Sequence, residues 1–150
     1  MTMSNVVCAG IALAILQCGQ QLALPQVPPP LTIRVLDGKD GKPIPNTALI
    51  VFGGATTEDV KFHEQHFALK TDGEGRALLQ PRDSTQWIQI LPDELVLCQP
   101  EVRIYFEVNQ IVQKGAVSQN TCSKLFATPP VAGVLTIYMR RSGFIDRVRR

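Results

Sequence analysis

Two imidazoles, His63 and His66, stand three residues apart in FHEQHF (62–67), with Glu64 between them. Histidine nitrogens and carboxylates bind zinc and carry protons, so hydrolytic chemistry would be sought here first. A helical zinc-protease site needs H-E-x-x-H, which sets both rings one turn apart on the same face. Here the spacing is one residue short. The surrounding residues 54–65 read as a polar loop entering a strand, and in a strand positions 63 and 66 point to opposite faces. The segment is read as two exposed histidines holding no metal. A small metal-dependent hydrolase using His63 and His66 stands as the alternative.

TDGEGRALL (71–79) is the second stretch with chemical promise, because glycines and acids precede an apolar run. A phosphate loop requires G-x-x-x-x-G-K-[ST] between a strand and a helix. These glycines are two apart, no Lys-Ser or Lys-Thr follows, and RALLQ runs into Pro81. A calcium loop requires acids at alternating positions and a closing glutamate. Counting from Asp72, the fifth position is Arg76, which breaks the cage; DGKDGK (37–42) fails in the same way at Lys39. What remains is a turn. Asp72 can bond backbone two residues ahead, while Gly73 and Gly75 supply positive φ. The turn is expected to join segments 66–71 and 76–80 into a hairpin.

Nucleophilic catalysis finds little to work with. No G-x-S-x-G occurs. Cys8 and Cys18 fall inside an apolar N-terminal run, which leaves Cys98 and Cys122 as an even pair. Without a C-x-x-C spacing or a nearby third ligand, they read as one structural disulfide. Closing a loop of about 25 residues would stabilise the fold by about 3–4 kcal/mol in the chain-entropy account. Acids such as Glu58, Asp83, Asp93 and Glu107 are scattered and form no motif. Trp87 and Tyr105 could form a platform for stacking a sugar ring. A lone tryptophan on a half-buried strand belongs more often to the core, and that is the expectation for Trp87.

The elements that must carry these residues are short and extended. The chain has 150 residues, 45% hydrophobic and 19% charged. That is one domain with material for a real core, not a disordered chain. Residues 6–16, VVCAGIALAIL, are too few to span a bilayer but match the apolar region of an export signal. Residues 1–23 are read as that signal, cut near Ala23, with lipid anchoring through Cys18 as a minor version. A proline-rich linker follows at 24–30, then the domain at 31–140, then a basic tail at 141–150. Arg140 and the arginines of the tail give the last eleven residues a charge of +4 against a total of +2, so the rest sums to −2. The body offers no basic field for nucleic acid. No membrane span is expected once the signal is removed.

Period-two alternation marks strands at 31–37, 86–92 and 101–109, and GVLTIYMR (133–140) is read as the strand that closes the domain. TALIVFG (47–53) is apolar enough to be a central strand, and IVQKGAV (111–117) reads as a further short one. No segment of ten residues in the domain carries a 3.6-residue period. The fold class is therefore all-β: an immunoglobulin-like or transthyretin-like antiparallel β-sandwich of about seven strands. The order Trp87, Cys98, Cys122 disfavours the true immunoglobulin arrangement, which wants the tryptophan between its cysteines.

IRVLDGKDGKPIPNTALIVF (33–52), followed by TDGEGRALL, resembles the carboxypeptidase regulatory-like domain, a transthyretin-like sandwich also grouped with carbohydrate-binding-like folds. The resemblance rests on Val35, Asp37, Gly41, Pro43, Ile44, Asn46, Ala48 and Val51, then Thr71, Asp72, Gly75 and Ala77. It implies that Asp37, Gly41, Pro43, Thr71, Asp72 and Gly75 are structural turn residues. It also implies a non-catalytic module that spaces, tethers or binds. Its partner would be a protein or a cell-envelope glycan, with no cofactor. Pro43 and Pro45 remove two backbone donors, so the chain must leave the sheet between them. QWIQILPDELVLCQP replaces the family's next strand, and the cysteine pair is an addition. Arg34 in the first strand and the lack of Asn in VLTIYMR exclude the lysine–asparagine crosslink of some bacterial relatives. RRSGF does not match the C-terminal motif of the transthyretin-like hydrolases of the urate pathway. The expected setting is secreted, periplasmic or cell-envelope.

Overall fold

The computed structural model describes residues 28–100, 104–124 and 128–142. The export-signal reading of 1–23, most of the linker, Glu101–Arg103 and the tail beyond 142 lie outside the described residues. The remainder is all-β: nine strands in two sheets, with two short helices among the described residues.

Strand β1 (Leu31–Asp37) follows the prolines directly. Its alternation works as the sequence requires, with Leu31, Ile33 and Val35 fully buried. Strand β2 (Ala48–Gly54) lies between β3 (Gln65–Lys70) and β5 (Trp87–Pro92), the central place its apolar character called for. With β7 (Phe106–Glu107) at its edge, this sheet has the order β3-β2-β5-β7. The other sheet has the order β4-β1-β9-β6, where β4 is Arg76–Leu79, β6 is Leu95–Leu97 and β9 is Val134–Arg141; β8 (Ala116–Val117) also pairs with β9. Inward residues of both sheets form one core: Leu31, Ile33, Leu135 and Ile137 from one, Leu49, Val51, Ile88 and Ile90 from the other.

Four expectations change here. Segments 66–71 and 76–80 do not form a hairpin: β3 pairs with β2 and β4 with β1, so the Asp72 corner carries the chain from one sheet to the other. The pairing is also not wholly antiparallel. β9 runs parallel to β1 from Thr32↔Val134 to Asp37↔Met139, and parallel to β8. Alternation assigns faces but says nothing about strand direction. The polar loop 54–65 contains helix α1 (Thr57–Lys61), started by a capping box. Thr56 Oγ1 accepts from Asp59 N–H, and Asp59 Oδ2 accepts from Thr56 N–H. Finally, of the strand read at 101–109, only Phe106–Glu107 is strand among the described residues. Helix α2 (Val108–Lys114) replaces the end of that strand and most of the one read at 111–117. Val108, Ile111 and Val112 recur at helical spacing and pack on the core, and Gly115 ends the helix at φ 77°.

The corner residues of the two turn motifs meet in space. Thr71 is buried. Its hydroxyl donates to Ile44 C=O at 3.0 Å and accepts from Thr47 N–H at 2.9 Å. Its own C=O accepts from Asn46 N–H. Gly75 C=O accepts from Val35 N–H at 2.8 Å, and Val35 C=O accepts from Ile44 N–H at 3.0 Å. A Cβ on Gly75, whose φ is 71°, would stand 2.7 Å from Val35 O, so both its conformation and its space demand glycine. Gly73 does not share that conformation; Gly75 alone supplies the positive φ in this turn. Asp72 Oδ1 accepts from the N–H groups of Glu74 and Arg76, each at 2.8 Å. In the first motif, Gly41 turns at φ 74°, Asp37 C=O and Oδ1 accept from Gly41 and Lys39 N–H, and Pro43 bridges to Leu36.

Cys98 and Cys122 are joined, with Cα atoms 5.2 Å apart. With Leu36 and Tyr138 they form a second small core on the outer side of the β1–β9 sheet. That explains why β9 is buried on both faces although its sheet is one of two. Gly38 lies against the bridge, where a Cβ would come within 2.4 Å of Cys98 Sγ. Gly38 C=O accepts from Asn120 Nδ2 at 2.9 Å and Ser123 Oγ at 2.6 Å, which ties the disulfide loop to the end of β1.

Two outcomes are expected. The double variant Cys98→Ala/Cys122→Ala loses about 3–4 kcal/mol of unfolding free energy in a urea titration, the loop-closure amount; no change would mean that the loop is held without its bridge. For Asp72, the backbone N–H of Arg76, then that of Glu74, holds the carboxyl below its ordinary value of 3.8. The folded pKa lies below the unfolded one, so this stabilisation is complete above about pH 4 and fades as pH falls through the folded value. Asp72→Asn should therefore melt lower than wild type at pH 7, and thermal scans should show that gap closing toward pH 2.

Candidate functional site

The histidine segment takes a shape the sequence reading missed. His63 follows α1 at φ 59° and donates its N–H to Val60 C=O, which swings its ring back over β2. His66 pairs in register with Phe52, so the two share a face. Both imidazoles stack on the Phe52 ring, His63 with centroids 3.7 Å apart and His66 at 5.6 Å. They do not point to opposite faces; they flank one aromatic ring. Both are exposed, and no group of three potential metal ligands occurs among the described residues.

Trp87 is the second departure. It is half-buried and stands outside both core clusters. The cause is its place at the start of β5, where the neighbouring strand β7 is only two residues long and pairs Trp87 with Glu107 and Ile88 with Phe106. Ile88 turns inward and is fully buried. Cross-strand partners share a face, so Trp87 and Glu107 turn outward together. Tyr105 lies one residue beyond that strand. Trp87, Tyr105, Phe106 and Ile104 line an open depression of about 520 Å³, with Glu107, Gln110 and Thr128 supplying its polar groups.

The walls of this depression are set by tight backbone contacts. Gly115 ends α2, and a Cβ there would collide with the backbone of Val131, so these two residues can approach only because one is glycine. Gly115 and Gly133 N–H both donate to Ile111 C=O. Thr128 N–H donates to the buried hydroxyl of Tyr138 at 2.9 Å, which anchors the opposite wall to β9. Glu107 is the N-cap residue of α2 but makes no side-chain capping bond. Aromatic faces beside a carboxylate and an amide whose side chains bond no other described residue suit a ligand with both apolar patches and hydroxyl groups.

A second cleft of about 670 Å³ opens on the other side of Glu107. Asp83, Thr85, Gln86 and Asn109 face it, with Pro28, Pro29 and Val112 as its apolar surface. Gln80 Nε2 holds the proline segment in place by donating to Pro28 C=O at 2.9 Å. Thr85 is fixed by Gln65, whose Oε1 accepts from its hydroxyl, and by Arg82 N–H. Asn109 Oδ1 accepts from Gln113 Nε2.

The sequence reading named Trp87 and Tyr105, and the two converge. It did not anticipate Phe106, Gln110 or the role of Glu107, because Phe106 and Glu107 were read inside a strand at 101–109 and Gln110 as the join to a second strand at 111–117. The turn residues Asp37, Gly41, Pro43, Thr71, Asp72 and Gly75 lie in the corners described above and line neither depression. No family model, curated protein or solved structure matches the chain.

Proposed function

We propose that this chain is an exported, non-catalytic binding module on a transthyretin-like β-sandwich, and that its ligand is a glycan held in the Trp87–Tyr105 depression. The observation that carries this reading is the convergence of two aromatic side chains with an uncommitted carboxylate and amide in one open hollow. A pyranose ring has an apolar face of C–H groups and an equator of hydroxyls. Trp87 and Tyr105 offer the flat surfaces for the first, and Glu107 and Gln110 offer partners for the second.

The sandwich and its carboxypeptidase regulatory-type kinship are supported by the two sheets over one core and by the clasped turn motifs. Export is supported by the Cys98–Cys122 bridge, since such bonds persist in oxidising compartments. Among the described residues no helix is long and apolar enough to cross a membrane. A non-catalytic role agrees with the placement of His63 and His66, which stack on Phe52 at the surface and not in either hollow.

The test is direct, because Trp87 is the only tryptophan in the chain. Neutral oligosaccharides should shift or quench its fluorescence, with matching heats by calorimetry. Trp87→Ala should weaken binding at least about tenfold, equivalent to about 1.4 kcal/mol, while melting close to wild type because the residue lies outside the core. Unaltered emission with every saccharide tried would end the glycan reading.

A further inference from the structure

From the way the two hollows meet, we infer that the ligand is a chain of several neutral or amino sugars. It would run from the Trp87–Tyr105 depression across Glu107 into the cleft beside Asp83 and Asn109. This inference rests on the glycan reading above and adds the length and charge class of the ligand.

Three observations lead to it. First, Glu107 lines both hollows, so they adjoin at one residue on the two-residue edge strand β7. A ligand stacked on Trp87 needs to pass only that side chain to reach the second cleft. Second, the described residues that line the two hollows include two carboxylates, Asp83 and Glu107, and no lysine, arginine or histidine. A uronic-acid or sulfated chain would place its negative groups beside these carboxylates, with no cation among the described lining residues to balance them, which costs binding energy. Hydroxyls, acetamido N–H groups and ammonium groups all donate to a carboxylate instead. Third, the polar groups of the second cleft remain available. Neither Asp83 nor the side chain of Gln86 makes a hydrogen bond to another described residue, and Asn109 spends only its Oδ1 on Gln113. Its amide N–H groups are left to donate to sugar oxygens. The two hollows differ in kind, one aromatic and one amide-rich with a proline wall. They therefore suit successive units of a chain that stacks at one end and hydrogen-bonds along its flank.

The experiment is a chain-length series by calorimetry on the full domain, using β-1,4-linked gluco- and N-acetylglucosamine oligomers of two to six units. Oligogalacturonate of equal length is the charged comparison. The expected result is affinity rising at least tenfold from two units to six in one of the neutral series, with oligogalacturonate weaker. In Asp83→Ala/Asn109→Ala, checked for folding by its melting curve, the six-unit chain should bind no better than the two-unit chain. Equal affinity for short and long chains, tighter binding of oligogalacturonate, or a length dependence that survives in this variant would each overturn the extended-chain inference. If at the same time Trp87→Ala abolished binding, the glycan reading itself would stand. If Trp87→Ala bound every length as tightly as wild type, that reading would fall first and this inference with it.

Discussion

One buried hydroxyl holds the two halves of the domain in register. Thr71 donates to Ile44 C=O and accepts from Thr47 N–H, so the corner that leaves β3 is fastened to the corner that enters β2. Immediately downstream, Gly75 is pressed against Val35 so closely that no side chain fits. Between these contacts the chain has passed from one sheet to the other. From this corner β4 runs antiparallel beside β1 and carries Ala77 and Leu79 into the core. A buried hydroxyl left without partners costs about 1–3 kcal/mol. The geometry is therefore strongly specified although it involves few atoms.

The same corner shows what was legible in the residues and what was not. Alternation placed Leu31, Ile33 and Val35 inward, because burial on one face leaves a period-two trace, and the apolar run at 47–53 was legible as a central strand because it is apolar on both faces. The glycine and proline corners were legible as turns, because φ preferences are local. Whether a turn returns within a sheet or crosses to the other is not local. It depends on Thr71 and Gly75 meeting residues more than twenty positions upstream. The parallel register of β9 on β1 is non-local in the same way. Helix α2 was legible and was missed: Val108, Ile111 and Val112 keep helical spacing and Gly115 follows Lys114. The strong alternation from Val102 to Val108 drew the reading past the change of period. Thr56 and Asp59 likewise spell out a capping box inside what looked like a featureless polar loop.

For the candidate site, the sequence offered residue types but not their company. Trp87 and Tyr105 could be named as aromatics, yet a tryptophan on an alternating strand belongs to the core on ordinary grounds. Its outward position follows from the short edge strand β7 and the helix that starts at Val108, which together leave its face uncovered. The histidines show the reverse case. Their spacing suggested separate faces, and the positive φ of His63 brings them together on Phe52.

The parallel pairing of β9 with β1 also bears on how the molecule comes into being. Among the described residues β9 comes after every other strand in the chain, and it sits in the interior of its sheet with β1 on one side and β6 and β8 on the other. Until it arrives, β1 and β4 make a ribbon, and β6 and β8 have nothing to align on. A nascent chain therefore cannot complete this sheet strand by strand as it is synthesised.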